Sequence, residues 1–390
     1  MGEIVDLFAG PGGWSEALRL LGRSADEIGI EYEPNACKTR TAAGHRTLQA
    51  DVSTIDERQY LGLEGLIASP PCQAFSSAGK GAARDVIPEL LDSIRARRWT
   101  DRADPDPRVW LIVDLGRWLE HLTPEWIALE QVPAVLPIWQ AYADLLRERG
   151  YSTWTGILNA ADYGVPQTRR RAILIASRAR TVQPPEATHD RAPTPSLFGE
   201  LHPWVTMADA LGWRMTDRSA YCYAPGTKGG GASVVGGSGA RRGLDAERAA
   251  GRWVNTGRRW PEGGRADAQK IDADAEPAPT LTVKSGGQWH ITDEWPHDRP
   301  ATTLMGDPRV FQPGGHHEPG EQSANAIHIT IRDALILQSF RPDYPVQGTK
   351  TRQFEQVGNA VPPRLAWHVL LTVLPSRVGQ EEAVGIEFPT

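Results

Sequence analysis

The 390-residue sequence predicts a doubly wound α/β fold: a mostly parallel, Rossmann-like sheet with helices on both faces, joined to a smaller loop-rich module. Short apolar runs alternate with amphipathic ones over residues 1–180, the pattern of strands separated by crossover helices. The first of these runs leads into a glycine-rich turn, the usual start of a ligand-binding α/β sheet. After Arg180 the composition changes, and glycine, proline and arginine become frequent.

Taken in order, seven segments read as strands: 4–8 (IVDLF), 27–32 (EIGIEY), 46–51 (RTLQAD), 63–69 (LEGLIAS), 126–132 (WIALEQV), 153–158 (TWTGIL) and 172–177 (AILIAS). Between them, residues 14–22 and 109–122 carry apolar side chains at three- and four-residue spacing and read as helices. Residues 184–195 (PPEATHDRAPTP) look like a linker and 226–243 like a flexible loop. Helical character returns at 329–340 and 361–374. The expected organisation is a catalytic body at 1–180, a recognition module at 181–329, a closing segment at 330–375 and a tail at 376–390. PAPTL (277–281) and PATTL (300–304) echo one another, but two copies do not make a solenoid.

Composition narrows the function classes. The start of the chain lacks the features of a signal peptide, and no apolar run approaches the ~20 residues of a membrane span. Cys37, Cys72 and Cys222 are odd in number and share no metal-ligand spacing, so neither a disulfide framework nor a metal site is expected. A reducing cytoplasm is the expected location. The net charge of −6 gives no global case for nucleic acid, yet seven arginines crowd between 241 and 265. That local surplus suits a polyanion, and a solvated loop equally well.

Chemistry-bearing residues gather where α/β sheets bind ligands, beyond the carboxyl ends of the strands. In DLFAGPGG (6–13), Gly10, Gly12 and Gly13 allow close backbone approach ahead of a helix N-terminus. Glu31 follows at a distance suited to a ribose hydroxyl, but the dinucleotide fingerprint fails because its third glycine would fall at Ser15. Taken alone, the turn fits a nicotinamide enzyme or an ordinary tight turn. Asp51, Cys72 and Glu130 stand at or after the third, fourth and fifth predicted strands. Each has a plain alternative: a helix cap, a small buried hydrophobe, a buried partner for arginine. In YGVPQTRRR (163–171), a strand beginning near Arg169 would turn Arg169 and Arg171 to one side and Arg170 to the other. A solvated basic strand is the alternative there.

DLFAGPGG, SPPCQAFS (69–76), the glutamate of LEQV (129–132), YGVPQTRRR and QVGNAVPP (356–363) follow one another in the order of the C5-cytosine DNA methyltransferase motifs, and the chain resembles that family over nearly its whole length. The resemblance implies S-adenosylmethionine as cofactor, 5-methylcytosine in double-stranded DNA as product, and a flipped target base. It makes Cys72 the nucleophile that adds to carbon 6, Glu130 the carboxyl holding the ring nitrogen and amino edge, Arg171 the contact to the base carbonyl, and Arg169 its orienting neighbour. Phe8, Ala9, Gly10, Pro11 and Gly13 would form the turn around the methionine portion. Glu31 would meet the ribose, Tyr32 and Asp51 the adenine, with Val52 and Pro70 beside them, and Asn359 and Val361 would close the pocket. Gln73, Ser76 and Lys80 would belong to a loop folding over DNA. In the recognition module two Thr-Leu pairs compete, Thr280–Leu281 and Thr303–Leu304. A bacterial or phage restriction–modification setting, a partner restriction endonuclease and a monomer complete the expectation.

The chain departs from the family pattern in three places. Gln131 stands where asparagine is usual after the glutamate, Ala360 where serine is common, and residues 82–105 form an insertion that reads as a DNA contact or surface decoration. A tRNA substrate within the same family and a catalytically silent DNA-binding scaffold are the alternative functions.

Overall fold

A computed structural model describes residues 3–71, 86–100, 107–193, 201–212, 300–301, 304 and 329–374, with short strands at 254–255, 271–272, 309–311 and 326–328. One sheet contains β1 (Ile4–Leu7), β2 (Glu27–Glu31), β3 (Thr47–Gln49), β4 (Gly65–Ala68), β5 (Trp126–Gln131), β6 (Ser152–Asn159) and β7 (Arg170–Ser177). Their order is β3-β2-β1-β4-β5-β7-β6. All seven expected strands are present, with ends shifted by a few residues. Only β7 runs against its neighbours; the other six share one direction.

Helices among the described residues are α1 (Gly13–Leu20), α2 (Pro34–Ala42), α3 (Ile87–Arg95), α4 (Pro107–His121), α5 (Leu136–Glu148), α6 (Met207–Leu211), α7 (Ile331–Leu337), α8 (Lys350–Asn359) and α9 (Pro363–Val373). The central strands β1, β4, β5 and β7 are buried on both faces, which is why they read as near-continuous apolar runs, while β3 and β6 at the margins of the sheet are more exposed. On one face Trp14, Leu18, Leu365 and Leu370 of α1 and α9 cover Ile4, Ile67, Ala128 and Ile173. On the other, Leu90, Ile94, Trp118 and Trp139 of α3, α4 and α5 cover Val5, Leu66, Ile127 and Leu174. Successive residues along the central strands thus feed opposite cores, and helices lie on both sides as expected.

The insertion is not a surface decoration where it is described. Its α3 sinks Leu90 and Ile94 completely into the core with α4 and α5. Trp99 stacks near Tyr142, at 6.3 Å between ring centroids, and donates to Glu120. The presumed linker is docked as well. Tyr163 Oη donates to the Pro185 carbonyl at 3.0 Å, and the Thr188 N–H to the Asp162 carbonyl at 2.9 Å. His189–Asp190 then pairs in parallel with His202–Pro203.

The chain divides into two compact units: Met1–Leu211, Pro296–Phe311 and Ile327–Thr390 form one, Gly212–Trp295 and Gln312–Ala326 the other. Within the second, Val254–Asn255 pairs antiparallel with Ile271–Asp272.

Two predictions follow from this packing. Leu90→Ala should cost about 2–5 kcal/mol in denaturant unfolding, the range for a fully buried leucine, whereas a decorative helix would lose almost nothing. Acid should also weaken the body through His189 and His368. Burial, with the Arg364 cation and the neighbouring imidazoles adding to it, holds both histidines down at about 4. The unfolded chain, with histidines near 6.5, then binds more protons between those values. This contribution to stability is complete above pH ~6.5 and is lost as pH falls toward ~4. Thermal melts of wild type across that window should show the slope, and His368→Gln should flatten it.

Candidate active site and cofactor turn

The reversed direction of β7 brings its first residues to the edge where β5 ends. Glu130 pairs with Ile173 across the seam, so Arg171 lies just beyond on the same face. Its Nε sits 2.8 Å from Glu130 Oε1, and both side chains are about nine-tenths buried. Arg171 Nη1 also donates to the Arg170 carbonyl at 2.8 Å. Arg169 is buried too, and its Nη1 donates to the Gly358 carbonyl at 2.9 Å, while Arg170 is exposed. The expected alternation is present, but the two inward arginines have separate partners: one a carboxylate, the other the carboxyl-terminal segment.

Next to Glu130, Gln131 is 1 % exposed and its Nε2 donates to the Pro70 carbonyl at 2.6 Å. Its Oε1 accepts the Val132 N–H at 2.5 Å. Trp14 Nε1 donates to Ser69 Oγ at 3.0 Å. The backbone leaving β4 is therefore held from two sides as far as Pro70. Cys72, Gln73, Ser76 and Lys80 lie outside the described residues.

The glycine turn bends through left-handed backbone at Phe8 (φ 58°), Gly10 (φ 55°) and Gly12 (φ 106°). Positive φ at Phe8 is costly for a bulky residue and persists only where its surroundings impose it. Glu31 supplies part of that constraint. Its Oε2 accepts the Gly10 N–H at 2.8 Å, and its Oε1 the Glu33 N–H at 2.7 Å. A side chain at Gly10 would meet nothing within 4 Å, so this side of the turn faces open space. Gly13 differs: a Cβ there would lie 2.1 Å from the Val361 carbonyl oxygen. Its missing side chain admits the carboxyl-terminal backbone rather than a ligand. Ala9 and Pro11 are buried, and the Pro11 carbonyl accepts Tyr344 Oη at 2.5 Å.

Further along the edge, Tyr32 is 72 % exposed. Asp51 Oδ1 accepts the Ser53 N–H at 2.9 Å and so caps a short turn at Val52–Thr54, with Val52 buried. Asn359 is exposed at the end of α8. Beneath the turn, Arg40 is wholly buried. Its Nη2 meets Glu27 Oε1 at 2.6 Å and its Nη1 Ser15 Oγ at 2.8 Å. Asp6 lies 4.0 Å from Arg40. Burial outweighs that cation and holds the Asp6 carboxyl well above the usual carboxylate range.

Gln131, Tyr344, Arg40 and Gln167 carry much of this geometry and were not singled out from the sequence as site residues. Gln131 alone had a signal, as a departure from the family's usual residue. Of the two Thr-Leu pairs, Thr280, Leu281 and Thr303 lie outside the described residues. Leu304 is buried, and its N–H donates to Gln167 Oε1 at 3.2 Å.

Comparison with known proteins adds the decisive observation. The model of the C-5 cytosine-specific DNA methylase family matches residues 2–373. The chain belongs to that family. Among its relatives, the type II methyltransferase M1.HphI of Haemophilus parahaemolyticus is 27% identical over 385 residues, covering 95% of this chain and 86% of the relative. The type II methylase M.HgiDII of Herpetosiphon aurantiacus is 25% identical over 382 residues, covering 94% and 93%. Among solved structures, the Entamoeba histolytica methyltransferase EhMeth aligns with a TM-score of 0.53 at 14% identity, over 96% of this chain and 98% of that one. A putative DNA modification methyltransferase from an E. coli prophage aligns with a TM-score of 0.50 at 19% identity, over 95% and 97%. These likenesses show that the fold is the methyltransferase sheet. No helix among the described residues is long and apolar enough to cross a membrane.

The two glycines of the turn separate in a stability measurement. Gly10→Ala should cost only the ~1–2 kcal/mol of placing a side chain in left-handed backbone. Gly13→Ala carries no left-handed cost but must displace the Val361 backbone, and should cost clearly more. Equal losses in denaturant unfolding would contradict the closure seen here.

Proposed function

We propose that this methylase is the modification enzyme of a restriction–modification system, and that it methylates carbon 5 of a flipped cytosine within one short sequence of double-stranded DNA. The observation that carries the reading is the Glu130–Arg171 pair at the carboxyl edge of the sheet, in a chain that matches the family throughout. A carboxyl and a guanidinium side by side match the donor and acceptor pattern along the pyrimidine edge of cytosine. Recognition is assigned to residues 181–329, and a partner restriction endonuclease, a monomer and a cytoplasmic location complete the proposal.

The glycine turn fits S-adenosylmethionine. Its open side at Gly10, the Glu31 carboxylate beside it and the exposed Tyr32 ring beyond suit an amino-acid portion, a ribose and an adenine in turn. Phe8, Ala9, Gly10, Pro11, Glu31, Tyr32, Asp51, Val52, Pro70, Asn359 and Val361 are the residues proposed to hold it. Gly13 serves the site indirectly, by admitting Val361. Bound there, the cofactor supplies a methyl group activated on a sulfonium.

Carbon 5 of cytosine is a weak nucleophile until a group adds to carbon 6 and the electrons of the C5=C6 double bond move to carbon 5. Cys72 is proposed to add at carbon 6 as its thiolate, the reactive form of the residue; once carbon 5 carries the methyl group, loss of the carbon-5 proton and expulsion of the thiolate restore the double bond. Glu130 would hold the ring nitrogen and the amino group, and stabilise the ring as its electron density rises. Arg171 already orients that carboxylate and would meet the base carbonyl. Arg169, tied to the Gly358 carbonyl, would hold the strand in place. Gln131 would keep the chain ahead of Cys72 in register through the Pro70 carbonyl. Gln73, Ser76 and Lys80 are proposed contacts to the DNA.

Incubation with varied duplex DNA and S-adenosylmethionine, followed by base-resolution sequencing, should reveal 5-methylcytosine in one sequence context. Cys72→Ala should abolish it, and Glu130→Gln should lower kcat/KM by about 10²–10⁴-fold, the range for a group acting on a proton in the transition state. No 5-methylcytosine in any duplex would overturn the proposal.

A further inference from the structure

In Q-T-R-R-R (167–171) the three inward side chains face three different parts of the chain. Arg171 meets Glu130, Arg169 the Gly358 carbonyl, and Gln167 the segment 300–304, where the chain resumes after Gly212–Trp295. Gln167 is 0 % exposed. Its Oε1 accepts the Leu304 N–H at 3.2 Å, while its Nε2 donates to the Leu337 carbonyl at 3.3 Å and to Gln338 Oε1. Gln338 Nε2 passes the connection on to the Ala360 carbonyl at 2.7 Å. Beside it, Gln167 and Ala301 form a parallel bridge. The Ala301 N–H donates to the Pro166 carbonyl at 2.9 Å and the Thr168 N–H to the Ala301 carbonyl at 2.7 Å. Thr168 Oγ1 reaches that same carbonyl at 3.2 Å.

A site that needed only packing would take leucine or methionine at position 167 without the cost of burying an amide. Here Leu304 presents an N–H, and Leu337 at the end of α7 presents a carbonyl. Only a side chain offering both acceptor and donor at that length satisfies the two. Ala301 and Leu304 are buried, and Ala301 is joined to the residues immediately before Arg169.

We propose that Gln167 is a positioning residue for sequence discrimination. It fastens the chain returning from the second unit to the strand that carries Arg169 and Arg171, so that a sequence read by that unit is joined to the seating of the target base. The assignment rests on the functional reading above. A wrong DNA sequence, on this basis, is rejected by poor placement of the base pocket as well as by weaker binding. Loosening the attachment of Ala301 and Leu304 should then harm discrimination more than cofactor binding.

The full chain should be compared as wild type, Gln167→Met and Thr168→Val. The measurements are kcat and KM on the mapped site and on duplexes differing from it by one base pair, with the S-adenosylmethionine dissociation constant and the melting temperature alongside. Gln167→Met should reduce the cognate to near-cognate ratio of kcat/KM roughly tenfold, and Thr168→Val roughly threefold, the scale of lost buried hydrogen bonds. Cofactor affinity should stay within about twofold in both. An unchanged ratio in Thr168→Val, or a fall in turnover that tracks cofactor affinity and melting temperature at constant ratio, would overturn the inference. If Gln167→Met does not fold, Thr168→Val decides alone. A wild type that methylates no duplex brings down the functional reading and this inference with it; an active wild type with unaltered variants brings down the inference only.

Discussion

The site depends on the antiparallel seam between β5 and β7. Six strands share one direction, so Glu130 comes to the edge with the ends of β1, β2 and β4. Arg171 stands near the start of its strand, and in a parallel strand it would fall at the opposite edge of the sheet. Reversal of β7 brings it to Glu130, with the register Glu130–Ile173 fixing which side chains meet. A slip of one residue would turn Arg170 inward and Arg169 and Arg171 outward. The apolar pairs behind the seam, Leu129–Leu174 and Ala128–Ile175, prevent that slip by belonging to opposite cores. The register that buries the core is thus the one that forms the pair.

Around this seam the molecule closes by bringing distant segments onto the first turn. Val361 occupies the space that a side chain at Gly13 would need, Tyr344 bonds the Pro11 carbonyl, and Thr39 Oγ1 donates to Gln356 Oε1 at 2.7 Å. Arg40 binds the two helices and two strands beneath the turn through Ser15, Glu27 and Asp6. Such buried charges are weak sources of net stability, since desolvation cancels much of their attraction. Their effect is geometric: the contacts of Arg40 with Ser15 and Glu27 hold the turn from beneath. The carboxyl-terminal segment is accordingly part of the same unit as the first strand.

Much of this was legible in the sequence. Strands buried on both faces leave unbroken apolar runs, so the central strands β1, β4, β5 and β7 could be read directly, and with them the edge carrying Glu31, Asp51 and Glu130. The alternation of Arg169, Arg170 and Arg171 followed from the period of a strand. Other features were not legible, for identifiable reasons. An amphipathic helix has the same spacing whether it decorates a surface or fills a core, so α3 showed its role only once Leu90 and Ile94 met α4 and α5. Proline and threonine in 184–190 signal an irregular backbone, but not whether it is docked. Gly13 carried the mark of close approach without saying what approaches. Gln167 and Gln131 depend on partners far away in the chain, which no local pattern reveals.

The proposed chemistry rests on one atom, the sulfur of Cys72, acting on a base held by Glu130 and Arg171. Duplex DNA carrying 5-fluorocytosine at the methylated position, incubated with the protein and S-adenosylmethionine, retains a covalent bond to any nucleophile that adds to carbon 6. Peptide mass spectrometry of the trapped complex locates it. The chain has three cysteines, and the adduct is expected on Cys72 alone. An adduct on Cys37 or Cys222, or methylation of ordinary DNA with no adduct on the fluorinated duplex, would contradict the assignment.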